Sequence, residues 1–206
     1  MPATKTVVGV LHDDSDREEM RQVLDLINDT NAAKIGLEIT DKDSELRDCG
    51  PFFDRLHDYA IARGARAVPL EHQLAHDRYA AINAAITVLE GTLCREQLEF
   101  VVQYTTDELK QRIALKSQQI RNLEESRKTA VQALKLLDKN LPQEELTRMY
   151  DEANAEREKH MLSRIQRYKP DLVIIGVAHA EAIRESLPEY KYVCLAKEEA
   201  EGIFEP

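Results

Sequence analysis

Two tetrapeptides, Gly9-Val10-Leu11-His12 and Gly176-Val177-Ala178-His179, share the pattern Gly-x-x-His, and each closes a short apolar run. Imidazole changes charge near neutrality and is the commonest nitrogen ligand of transition metals. Gly9 and Gly176 stand three residues before their histidines, inside the runs. A glycine within a strand often marks close approach by another backbone, side chain or ligand. Glu38 lies near the end of a third run, and Glu71, with His72 beside it, follows a fourth. Four run ends thus present two histidines and two glutamates. Such a set could hold a divalent ion through His12, His179 and either Glu38 or Glu71, leaving the other glutamate as general base. Mixed imidazole and carboxylate ligation suits Mn, Fe, Co or Zn better than Mg or Ca. In the charged stretch Asn154–Met161, Arg157 falls close to a helical apolar stripe, where a guanidinium can clamp a carboxylate or stabilise negative charge on a substrate. Glu156 and His160 share a helix face and read first as a solvated, ion-paired surface. His72-x-x-x-His76 has a metal-binding spacing only on a helix, and nothing in the segment fixes one, so it reads as a loop.

The runs that position these residues are Thr6–Leu11, Lys34–Ile39, Ala65–Leu70, Leu172–Val177 and Tyr190–Leu195. Most are nearly continuously apolar, the habit of parallel strands covered on both faces. Between the first two, Met20, Val23, Leu24 and Ile27 recur at helical spacing; between the next two, Pro51 opens a helix that Gly64 closes. The β-α-β-α-β order predicts an α/β fold with a mainly parallel sheet of about five strands. In such a sheet ligands bind outside the carboxyl ends of the strands, where His12, Glu38, Glu71 and His179 stand.

From about Asp77 to Tyr168 the pattern is helical. Tyr79, Ile82, Ile86 and Leu89 form one stripe that stops near Gly91, and Leu98, Val101 and Val102 a second. Thr105-Thr106-Asp107-Glu108 resembles a capping box opening a long helix with Leu109, Ile113, Ile120, Leu123, Ala130, Leu134 and Leu137 on one side. After the turn at Lys139–Pro142 another helix carries Leu146, Met149, Ala153, His160 and Ile165. These two predict a long antiparallel hairpin inserted between strands three and four, a lid or a homodimerisation arm. The division expected is a core of residues 1–76 and 169–206 with residues 77–168 as insertion.

With 43% hydrophobic residues in 206, the chain can bury a core, while a net charge of −10 disfavours nucleic acid and anionic membrane as partners. Three cysteines without CxxC spacing suit a reducing compartment, and Cys194, in an apolar run, reads as a core residue. No run approaches the about 20 apolar residues of a membrane span, and no signal-like start is seen, which predicts a cytoplasmic protein. GxGxxG, GxxxxGK[ST] and GxSxG are absent, which disfavours common nucleotide-binding and serine-hydrolase readings.

The ordered set Gly9-x-x-His12, Leu37-Glu38, Glu156-Arg157-Glu158 with Met161, and Gly176-x-x-His179 resembles the TraB/PrgY family, within the superfamily of Tiki proteases, erythromycin esterases and ChaN-like proteins. The resemblance implies a Rossmann-like core with a helical insertion, and one pocket shared by His12, His179, Glu38 and Arg157. In the Tiki branch the histidines go with a divalent metal and peptide hydrolysis; in the esterase branch histidine and glutamate activate water. It therefore implies a hydrolase of peptide, ester or amide bonds, or a protein that binds and sequesters a peptide, small molecule or metal-containing ligand. The sequence departs from the family in having Asp41-Lys42-Asp43 after Leu-Glu, with its first following arginine at Arg47.

Overall fold

The computed structural model describes residues 5–11, 17–40, 51–104 and 117–195. All five expected strands form: β1 (Thr6–Val10), β2 (Lys34–Thr40), β3 (Arg66–Glu71), β4 (Leu172–Gly176) and β5 (Lys191–Cys194). They make one sheet in the order β3-β2-β4-β1-β5, every neighbouring pair parallel. Their apolar runs are continuous because both faces are covered. Val8, Val10, Ile35, Leu37, Leu172 and Ile174 pack with residues of α1 (Arg17–Thr30) and α2 (Pro51–Ala62). The alternate residues Val7, Val68, Val173 and Ile175 pack with the end of α6 (Gln143–Tyr168) and with α7 (Val177–Ile183). Asp171 joins β2 to β4 at their start, where its carboxylate accepts from the amides of Ala33 and Lys34, each at 3.0 Å. Gly64, at φ 77°, closes the turn after α2. β5 is an edge, and Cys194 there is half-buried rather than a core residue, because only one neighbouring strand covers it.

The chain divides into two compact units, residues 1–72 with 158–206, which contain the sheet, and residues 73–157. Among the described residues the second unit is helical: α3 (Gln73–Leu89), α4 (Arg95–Tyr104), α5 (Ser117–Leu137) and the first part of α6. Its core is Ala85 of α3, Leu98 of α4, and Ala130, Ala133 and Leu137 of α5. The close pairing of α5 with α6 that the hairpin pattern predicts is not what builds this core. The small Ala130 and Ala133 instead let α5 approach α3 and α4, since helix separation follows side-chain size at the contact. The described part of the stripe expected to dimerise, Ala130, Leu134 and Leu137, is packed inside this unit. The capping box at 105–108, Leu109 and Ile113 lie outside the described residues.

The expected loop at His72–His76 is also corrected. Helix α3 begins at Gln73, so His76 is helical; Gln73 Nε2 donates to Asp77 Oδ1 at 2.7 Å and closes the first turn. His72 stacks on His160 instead, with ring centroids 4.8 Å apart and planes 16° from parallel. Among the described residues no helix is long and apolar enough to cross a membrane.

Candidate functional site

β4 runs without a loop into α7, with Gly176 as the residue between, at φ −54° and ψ 144°. His179 therefore stands in the first turn of a helix at the carboxyl end of a central strand. It is 7% exposed. Its Nδ1 lies 3.2 Å from Glu158 Oε1, and its Nε2 lies 3.5 Å from Glu38 Oε1.

Each carboxylate reaches the ring from a different element of the sheet-containing unit. Glu158 lies on α6 three and seven residues before the fully buried Met161 and Ile165, on the stripe that packs against the sheet. Glu38 comes from β2. The β2–β4 ladder runs in step from Ile35 opposite Leu172 to Leu37 opposite Ile174, and the β2–β3 register shifts between Leu37 and Thr40. Glu38 sits in that irregularity, and strand bulges re-aim side chains in this way. Its Oε2 accepts the backbone N–H of Gly176, so a side chain continues the ladder where the main chain stops. The other oxygen is left toward His179.

An ionised carboxylate only accepts, and of the two ring nitrogens Nδ1, at 3.2 Å from Glu158, is placed more closely to donate than Nε2, at 3.5 Å from Glu38; in the tautomer with the proton on Nδ1, Nε2 would carry its lone pair toward Glu38. A carboxylate behind one imidazole nitrogen with the other nitrogen left as a ligand is the usual support of a metal-bound histidine. Glu38 and His179 also fit an ion between them: 3.5 Å is compatible with two ligand bonds of about 2.0–2.2 Å. Among the described residues no three His, Cys, Asp or Glu side chains group around one point, and His12, the second expected histidine ligand, lies outside those residues.

The other expected residues have their own surroundings. A Cβ on Gly9 would lie 3.2 Å from Val177 Cα and 3.3 Å from Ala180 Cβ. The space that Gly9 opens is taken by the helix that carries His179, so Gly9 acts through packing. Glu71 ends β3 opposite Thr40 and is 3% exposed. Arg157, 5% exposed, closes the helical unit: its guanidinium lies 4.2 Å from the Tyr79 ring centroid, and its Nη1 is 3.4 Å from Asn154 Oδ1. Glu156 lies on an exposed, ion-paired face, but its partner, 3.2 Å away, is Arg78 of α3 rather than a residue of its own helix.

Two carboxylates were not singled out by spacing. Glu158 is one; its signal was its place on the Met161–Ile165 stripe. Glu19 is the other. It is 4% exposed on α1, and its Oε1 accepts the Leu11 amide at 2.6 Å, which holds the backbone immediately before His12. Its signal was a carboxylate beside Met20 and one turn before Val23. Comparison with known proteins adds no relative: no family model matches the chain, and no curated protein or solved structure matches it.

Proposed function

We propose that the protein is a metal-dependent hydrolase of the TraB/PrgY and Tiki type, cleaving a peptide, ester or amide bond at the carboxyl ends of β2 and β4. What carries the reading is the orientation of His179, with Nδ1 backed by Glu158 and Nε2 turned to Glu38 within a nearly buried cluster. Nε2 of His179 and Oε1 of Glu38 would hold a divalent ion, with His12 as the expected next ligand; the donor set suits Mn, Fe, Co or Zn. Such an ion supplies a bound water of lowered pKa and polarises a carbonyl.

The chain's own residues do the rest. Glu158 keeps the proton on Nδ1 and so keeps Nε2 available. Gly176, by donating to Oε2 of Glu38, fixes the rotamer that turns Oε1 to the ring. Glu71, at the end of β3, is the candidate base for the attacking water.

Metal analysis of the purified protein beside His179→Ala and His12→Ala tests this, together with a panel of esters and peptides. Near-stoichiometric transition metal in the wild type, lost in both variants and accompanied by turnover, is the expected result. A wild type that takes up no transition metal refutes the metal-hydrolase reading. Metal uptake without turnover of any panel member leaves the same residues as a binding or sequestering site.

A further inference from the structure

We propose that the helical unit carries a second binding site, independent of the His179 cluster, for a small amphipathic carboxylate such as a medium-chain fatty acid anion. The unit contains a cavity of about 290 Å³ between α3, α5 and α6. That is just below the about 300–1,000 Å³ typical of small-ligand sites. Two helical stripes frame it: Leu74, Arg78 and Ile82 at steps of four on α3, and Lys128, Gln132 and Leu136 at steps of four on α5. The small Ala81 on α3 leaves the gap, and Met149 of α6 adds to its apolar wall. Leu74 is 69% exposed, so the apolar surface continues outward.

The charge around this cavity selects the ligand. In a chain of net charge −10, the wall carries three cations, Arg78, Lys128 and Lys135, against the single carboxylate of Asp77. Two of the cations are engaged. Lys128 is bonded to Asp77, which Gln73 also holds, and Arg78 lies 3.2 Å from Glu156 and 3.8 Å from Glu152. Lys135 makes no ion pair among the described residues. An alkyl chain on Leu74, Ile82, Leu136 and Met149 would bring a terminal carboxylate to Lys135, with the Gln132 amide as a further donor. A neutral alcohol of the same length gains only the apolar contacts, and an alkyl ammonium is repelled.

Calorimetric titration of the full-length protein with decanoate, decanol and decyltrimethylammonium tests the proposal. Decanoate is expected to bind most tightly and decyltrimethylammonium least. Lys135→Gln should weaken decanoate about two- to fivefold, the worth of one exposed ion pair. Lys135→Glu, on an exposed position that folding tolerates, should invert the preference toward decyltrimethylammonium. Gln132→Phe, which fills the cavity from its half-buried wall, should abolish binding of all three, with circular dichroism verifying the fold; if that variant does not fold, the charge-reversal variant decides. Three results overturn the proposal: decanoate and decanol binding equally with no response to Lys135→Glu; decanoate still binding a folded Gln132→Phe protein; or a sedimenting dimer that Gln132→Phe dissociates, which makes the cavity wall an interface between two copies.

Discussion

Truncating Glu158 to Ala removes the carboxylate behind His179 while keeping a strong helix former on α6. The cost follows from the contact. The two side chains are 23% and 9% exposed, so solvent screens the bond little, and a hydrogen bond to a charged group is then worth about 1.5–3 kcal/mol. Its 3.2 Å length is long for such a bond, which points to the lower end, about 1.5 kcal/mol. A double-mutant cycle isolates this quantity. Glu158→Ala, His179→Ala and the double variant are unfolded in urea at pH 8, and the contact of His179 with Glu38 cancels between the two backgrounds. The coupling energy should be about 1.5 kcal/mol, close to tenfold in the folding equilibrium. Long-range proton–nitrogen spectra supply a second readout: the neutral His179 ring should carry its proton on Nδ1 in the wild type and shift it toward Nε2 in Glu158→Ala. A coupling below about 0.4 kcal/mol, within ordinary additivity error, together with an Nε2–H ring in the wild type would refute the reasoning, because Nε2 would then have no lone pair to offer.

Gly9→Ala should cost about 1–3 kcal/mol in urea unfolding, since its Cβ would stand 3.2 Å from the Val177 backbone and strand or helix would have to yield. Arg157→Lys should lose about 1 kcal/mol, because an ammonium does not reproduce the guanidinium stacked 4.2 Å from Tyr79; an unchanged midpoint would remove the packing role. Tyr190 is pushed up to about 12, first by burial and then by Glu189 and Asp171, and Tyr192 is likewise pushed up to about 12, first by burial and then by Cys194 and Glu181. Folded-state values above the unfolded value of about 10 mean that stability is complete below pH 10 and falls as pH rises toward 12. Ultraviolet titration should show two phenols ionising near pH 12, and Tyr190→Phe should remove one of them with its share of the alkaline slope.

The strands were legible because burial on both faces leaves a plain mark: LVIIG has no polar residue and TVVGV only its first, Thr6, where alternation would require more. The helical pairing was not. A stripe of apolar residues says that a helix has a face, not which helix it meets. Ala130 and Ala133 decide that α5 lies close to α3 and α4, yet in the sequence they look like ordinary helix formers. His72 and His76 misled for a local reason. No Ser, Thr, Asp or Asn stands in the residues just before the helix, and α3 begins instead at a glutamine that bonds forward to Asp77.

At the site, strand ends were a sound guide to Glu38 and His179 because parallel topology makes the ends of β2 and β4 neighbours. What spacing could not express is the source of the orientation. Glu38 is turned by a register irregularity between Leu37 and Thr40, and its Oε2 is occupied by an amide of β4. Glu158 precedes His179 by 21 residues, on a helix whose charged pattern looks like a solvated surface. The distinction between Glu156 and Glu158 is the informative one. Both are carboxylates on α6, two positions and therefore about 200° apart around the helix, so they look out on opposite sides. One meets Arg78 at a half-exposed surface pair, and the other shares the stripe of Met161 and meets a buried imidazole. In a charge-rich helix, the carboxylate in phase with the apolar stripe is therefore the one to test for a functional role, since burying it would otherwise cost more than a surface ion pair returns.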